Sequence, residues 1–351
     1  MINFSEFQEQ LQTERRTVSF DSYDITIRQL VDMFSNEELD IYPDYQRQFL
    51  WGPERQSQLI ESAFLGIPIP SIYMATNADA TWDVVDGVQR LCTLINYCGK
   101  EGDRERINKS EPLKLVDLEK LGELNGSSFD ELPRSIQLHF LTRPIKVTVL
   151  NDKSDIDVRF DLFERLNTGG VSLTQQEIRN CIYQGKFNEF LKQQAGRAII
   201  KSVIKLKQSD ESNGTSEEFI LRFFAFLAKY SEFDHSVKNF LNDYMKHLID
   251  TGPNKSSRLL FSETFAMLKE NLPFGIVRGN RSITPVNLFE GIAVGTALAI
   301  KELGDVNLVK KELLPALLED KKLRKFTTGA TNSRKMVASR IEYVRDVLIG
   351  L

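Results

Sequence analysis

The chain has 351 residues, with 45 Lys and Arg against 49 Asp and Glu for a net charge of -4, and 41% of its residues are hydrophobic and 27% charged. That is the balance of a soluble globular protein long enough for two or three domains, each able to bury a core. Three cysteines, Cys92, Cys98 and Cys181, are too few for a disulfide framework, and no second Cys or His stands at finger-like spacing to build a zinc cluster; the cytoplasm is the expected compartment.

From Asn3 to Arg16 the sequence is polar with scattered Phe and lacks the apolar stretch of an export signal, so a loose helix or arm over 1–22 is expected. Regular structure is expected to begin near Tyr23, with Asp24 to Phe34 read as a short strand entering a helix. A turn-rich aromatic stretch follows from Ile41 to Pro53, and Pro53 suits the first turn of a helix running to Leu65 and closing at Gly66. Pro68 and Pro70 keep the next residues extended, ahead of strands at Ser71 to Ala75 and Trp82 to Val85. Asp86-Gly87 then breaks the chain before a helix from Gln89 to Tyr97. Gly99 to Asp130 reads as loops and short helices, and Pro144 to Leu150 alternates with period two, the clearest strand in the sequence.

Beyond Asp155 the period becomes helical. Helices are expected over Val158–Leu166, Thr174–Tyr183, Phe187–Gln194, Glu217–Tyr230, Phe240–Leu248, Ser262–Glu270, Val286–Leu303 and Arg334–Leu348, separated by turn residues such as Gly252-Pro253. The apolar tract from Val286 to Ile300 is interrupted by Glu290 and falls short of the ~20 residues that cross a bilayer, so a buried helix and no membrane partner are expected. The fold class is therefore α+β, a mixed-sheet domain over 23–155 followed by an all-helical domain over 156–351.

The strand, turn and helix from Trp82 to Leu91 carry the parts of a phosphate site. Asp86 ends the strand, Gly87 allows a tight turn with close backbone approach, and Gln89 and Arg90 open a helix. The positive end of that helix and its N–H groups suit an anion, and Arg90 adds a fork of donors. Asp86 could then serve a magnesium ion, a ribose hydroxyl or a proton. The plainer reading is an N-capping Asp followed by a turn Gly.

The order of four blocks resembles a known family. Tyr45-Gln46-Arg47 to Trp51, Gly66-Ile67-Pro68-Ile69-Pro70, Asp86-Gly87-Val88-Gln89-Arg90, and Phe163 to Thr174 with Glu177 to Asn180 are similar to the N-terminal domain of the GmrSD-type restriction endonucleases, a branch of the ParB/sulfiredoxin-like superfamily. The resemblance spans about residues 24 to 185. It implies a ParB-like sheet domain that binds and hydrolyses a nucleoside triphosphate with magnesium, within an antiphage DNA-restriction system. Gly87 and nearby N–H groups would hold phosphates, Arg90 and Arg47 would balance their charge, and Asp86 would organise the metal or water; Asp86, Gln89 and Arg90 are the candidate catalytic residues. Gln46 and Arg47 would face the same pocket, although a surface Arg among packing aromatics is the plain alternative. Arg165, Asn167 and Thr168 stand at a Gly-rich turn that can present them to the nucleotide, while Thr174 and Glu177 form a capping box.

Val88 stands where the family motif usually has its first Gln. This departure favours the alternative of a non-catalytic regulatory or scaffold DNA-binding protein. Members that cut DNA carry or partner a His-Asn-His-type nuclease. No His follows His247 here, so the expected partners are phage or modified DNA and a separate nuclease subunit, with self-association left open. Residues 320–346 hold eight Lys or Arg and three Asp or Glu, a balance of +5 that leaves -9 for the rest of the chain. Lys321, Lys322, Arg324, Lys325, Arg334 and Lys335 are the DNA-contact candidates, with a hydroxyl-rich loop from Thr327 to Ser333 beside them and Arg340 and Arg345 recurring on the next helix; a solvated basic face is the plainer reading.

Overall fold

The computed structural model describes residues 3–14, 19–41, 49, 51–77, 79–151, 156–166, 173–329 and 331–351. The chain forms two compact units that divide between Leu173 and Thr174. The α+β class expected from the sequence holds: a mixed sheet lies in the first unit and helices fill the second. Among the described residues no helix is long and apolar enough to cross a membrane.

In the first unit, α1 (Phe4–Glu14) precedes β1 (Phe20–Thr26), α2 (Ile27–Ser35) and β2 (Leu39–Asp40). Next come α3 (Pro53–Leu65), β3 (Ile72–Thr76), β4 (Trp82–Asp86), α4 (Val88–Cys98), α5 (Glu101–Arg106), α6 (Arg134–Leu141), β5 (Pro144–Leu150) and α7 (Ile156–Leu166). The strand order is β1-β5-β3-β4-β2. β1 runs antiparallel to β5 and β3 antiparallel to β4, whereas β3 is parallel to β5 and β2 to β4.

Local rules account for most of these elements. Thr26 caps α2 by accepting from the N–H of Gln29, and Ile27, Leu30, Val31 and Phe34 recur at helical spacing to bury one face. Pro53 opens α3, and Gly66 closes it in the left-handed conformation. Two departures from the sequence reading have physical causes. β1 begins at Phe20, ahead of Tyr23, because its exposed first half shows no alternation of its own and is drawn into the sheet by the ladder to β5, from Phe20 opposite Leu150 to Thr26 opposite Pro144. The two residues of β2 are too short to show any period.

The second unit contains α8 (Gln175–Ile182), α9 (Lys186–Ala195), α10 (Ala198–Val203), α11 (Thr215–Lys229), α12 (Val237–Leu248), α13 (Lys255–Asn271), α14 (Val286–Phe289), a π-helical turn (Glu290–Val294), α15 (Gly295–Leu303), α16 (Leu314–Glu319), α17 (Lys321–Thr327) and α18 (Arg334–Ile349). Each helix of eight or more residues in this half falls on a stretch read as helical, although α13 begins at Lys255, ahead of the expected Ser262, and the expected helix Val286–Leu303 contains the π-helical turn. The six- and seven-residue helices α10, α16 and α17 are not legible, because fewer than two full turns cannot establish a 3.6-residue pattern.

α11 is the centre of this unit. It buries Phe219, Ile220, Leu221 and the run Phe223 to Phe226, and Phe223 and Phe224 meet Phe261 of α13 at ring distances of 5.2 Å each. Beside the aromatics runs a ladder of charge. Arg179 of α8 donates to Glu218, 3.1 Å away; Arg222 links Glu218 at 2.8 Å to Glu290 at 2.7 Å; and Arg340 of α18 closes the row on Glu290. Glu290, Arg179 and Arg340 are wholly buried. The residue that interrupts the apolar tract is thus balanced from two sides inside the core.

Candidate functional site

Asp86 is the last residue of β4, Gly87 is the N-cap of α4 at φ +100°, and Gln89 and Arg90 lie in the first turn of that helix. Only glycine takes that backbone angle without strain. Gly87 has no side chain with which to cap the first turn of α4, so the usual N-cap hydrogen bond is not made there.

Arg90 curls back over the glycine. Its Nη2 donates to Asp86 Oδ2 at 2.6 Å and to the carbonyl of Ser71 at 3.0 Å. A Cβ on Gly87 would stand 3.0 Å from Arg90 Nη2, 3.1 Å from Ile72 Cγ1 and 3.2 Å from Arg90 Nε. The glycine therefore serves both the turn and the seating of the guanidinium. Arg90 Nε is buried and has no hydrogen-bond partner among the described residues, an uncommon condition for a charged donor and one that a bound acceptor would relieve.

Gln89 has a more definite task than the sequence suggested. Its Oε1 accepts the N–H of Trp51 at 3.1 Å, Gln56 donates to the Trp51 carbonyl at 2.7 Å, and Asn96 donates to Gln56 at 2.9 Å. This chain of amides ties the approach to α3 onto α4 beside the turn. Gln46 and Arg47, a few residues ahead of Trp51, lie outside the described residues, as do Asn167 and Thr168. Arg165 is exposed near the end of α7, a helix that lies against β4. Among the described residues no group of three or more His, Cys, Asp or Glu side chains is placed to hold a metal ion.

Sequence reasoning missed Ser71 and Ile72, which complete the seat of Arg90. Ser71 contributes only its carbonyl and Ile72 only its bulk, so neither carries a residue-type signal.

The basic segment falls into two parts, one facing solvent and one engaged within the fold. Lys321, Lys322, Arg324, Lys325, Arg334 and Lys335 are all exposed. Arg324 pairs with Glu319 at 2.8 Å, Lys322 Nζ lies 4.6 Å from the centre of the Tyr343 ring, and Arg334 Nε donates to the Phe233 carbonyl at 3.0 Å. Arg340, read from the sequence as part of the same face, is instead inside the core on Glu290, and Arg345 is paired with Asp346. The hydroxyl-rich loop is also less available than expected. Thr327 accepts from Arg278 at 2.8 Å, Thr331 accepts from Asn287 at 2.6 Å, and both are buried.

The chain is a two-unit protein, a sheet unit whose β4–α4 turn is built on Asp86, Gly87 and Arg90 and a helical unit after it. Residues 28–184 match the family described as GmrSD restriction endonuclease, N-terminal domain, and this part of the chain is similar to that domain. The match takes in less than half of the chain, and it ends after α8, whose Arg179 belongs to the charge ladder of the helical unit. No curated protein and no solved structure matches the chain. The matched family is one of restriction endonucleases, a description that points to DNA as the target.

Proposed function

We propose that this protein is the nucleotide-responsive component of a DNA-restriction or antiphage system, in which the turn at Gly87 holds the phosphates of a nucleoside triphosphate with magnesium. The observation that carries the reading is the buried, unpartnered Nε of Arg90 over a glycine that cannot be replaced without filling the same space. A phosphate oxygen arriving there would accept from Nε and from the first turn of α4, and it would compete with Asp86 for the guanidinium. Asp86, released from Arg90, would then be free to bind magnesium. That ion typically uses one or two carboxylates together with phosphate oxygens and water, so a single acid suits it.

Gln89 acts in this scheme as a positioning residue, since its hydrogen bond ties Trp51 to the first turn of α4. The helical unit engages DNA through the exposed row on α17 and the start of α18, and a separate nuclease subunit cleaves. Calorimetric titration with each of the four nucleoside triphosphates and magnesium tests the site. At least one should bind, and Arg90→Ala should weaken it at least tenfold, ~1.4 kcal/mol. Absence of heat with all four would remove the assignment. Phosphate release, measured on the same samples, separates hydrolysis from binding alone.

A further inference from the structure

The helical unit contains a second feature that the nucleotide turn leaves unexplained, a cavity of about 790 Å³ beside the basic helix α17. Its size falls within the ~300–1,000 Å³ of small-molecule sites. One wall is the loop that joins α13 to α14, and the other comes from Lys205, Pro315, Leu318 and Glu319. Both walls are fixed by hydrogen bonds. Ile276 N–H donates to the Val203 carbonyl at 2.9 Å and Thr284 N–H to the Lys205 carbonyl at 2.8 Å. Arg278, itself buried, donates to the Leu318 carbonyl at 2.7 Å and to Thr327 at 2.8 Å. The second pair of bonds joins the loop to α16 and α17, so cavity and basic helix form one built surface.

The chemistry of the lining is specific. Leu272, Val277 and Leu318 supply an apolar floor, and Phe274 stands at the cavity with 80% of its surface exposed. Arg281 is exposed and has no ion pair or side-chain hydrogen bond among the described residues, while Asn280 and Ser282 beside it offer an amide and a hydroxyl. A flat ring that carries an anion and hydrogen-bonding edges meets all of these groups at once: the ring against Phe274, its edges on Asn280 and Ser282, its phosphate on Arg281. Charge favours the same ligand, because the lining carries two cations, Lys205 and Arg281, against one acid, Glu319, which is already bonded to Arg324 and to the N–H of Gly279.

We propose that this cavity receives one unstacked nucleotide of a DNA strand whose neighbouring phosphates lie on Lys321, Lys322 and Lys325. The inference rests on the reading of the basic segment as a DNA surface, and it adds what that surface reads. Taking a base out of a matched duplex costs a few kcal/mol and taking it from a single strand costs least, so single-stranded or mismatched DNA should be preferred to matched duplex.

Anisotropy titrations with a single strand carrying one 2-aminopurine, with its matched duplex, and with a free deoxynucleoside monophosphate as competitor test the proposal. The single strand should bind more tightly than the duplex, and the 2-aminopurine emission should change on binding. Phe274→Ala should weaken single-strand binding at least ~fivefold through loss of the base stacked on it, and Phe274→Tyr should restore it. Phe274 is exposed, so its substitution spares the core, and Arg281→Gln gives a second probe of the same cavity. If Phe274→Ala and Arg281→Gln bind like the unaltered protein while alanine at Lys321, Lys322, Arg324 and Lys325 weakens binding, the cavity assignment falls and the DNA surface stands. If the unaltered protein binds no DNA, both fall. Competition by the free monophosphate at the same concentration as the strand would overturn the strand assignment and leave a small-molecule site.

Discussion

Arg90 Nη2 and Asp86 Oδ2 lie 2.6 Å apart, joined across the one residue, Gly87, whose backbone no other side chain would tolerate there. The pair is local, four residues apart on a strand end and a helix start, yet its partners Ser71 and Ile72 come from β3 and its approach. The cation of the turn is thus held by its own acid, and an arriving phosphate would have to displace it.

Gly87→Ala is expected to abolish nucleotide binding and to lower stability by ~1–3 kcal/mol, because a positive φ and a crowded Cβ act together. Urea unfolding reads the second effect and calorimetry the first. A variant that folds and binds normally would show that the guanidinium is not seated where nucleotide binds.

Glu290→Ala would leave Arg340 buried without its carboxylate and Arg222 with only one. Removal of one partner from a buried ion pair costs ~3–5 kcal/mol, and chemical denaturation should show a loss of that size. A loss near that of an exposed pair, below ~1 kcal/mol, would mean water reaches the ladder.

Glu218 gives the ladder a pH dependence. Burial pushes its carboxyl up, but Arg222 and Arg179 beside it pull it below its ordinary value of 4.5. A depressed native value means the stabilisation is complete above the ordinary glutamate range and is lost as pH falls through that range toward the native value. Thermal unfolding followed from pH 7 downward should therefore fall more steeply in the unaltered protein than in Glu218→Gln, and parallel curves would refute this.

Gly295 lets α15 pack tightly on α18, for a Cβ there would lie 2.6 Å from Val344 Cβ and 2.8 Å from the Ile341 carbonyl. Ordinary helix propensity favours alanine over glycine by ~1 kcal/mol. Here Gly295→Ala is expected to destabilise by ~1–3 kcal/mol through overpacking, and a raised unfolding temperature would contradict it.

Alanine at Lys321, Lys322, Arg324 and Lys325 should weaken DNA binding alike on all sequences. It should also flatten the salt dependence by about one unit of slope for each phosphate that is no longer neutralised. Arg340, being buried, belongs to stability and not to this series. Anisotropy across a salt series decides it, and an unchanged slope would leave the segment as a solvated face.

Much is readable from sequence because it depends on neighbours in the chain. The strand at Pro144–Leu150, the helix opened by Pro53 and closed by Gly66, the turn at Asp86-Gly87 and the long amphipathic helices all follow from side-chain period, caps and backbone restriction. The motif order likewise leads to the domain family matched over 28–184. Tertiary structure alone decided what those residues face. It set the parallel and antiparallel neighbours of each strand, seated Arg90 on Ser71, gave Gln89 to Trp51, and turned Glu290 and Arg340 from an interruption and a surface charge into a buried pair. A charge count cannot separate those cases. Whether a cation faces water or a carboxylate depends on which distant helix packs against it, and that choice is made by the whole core.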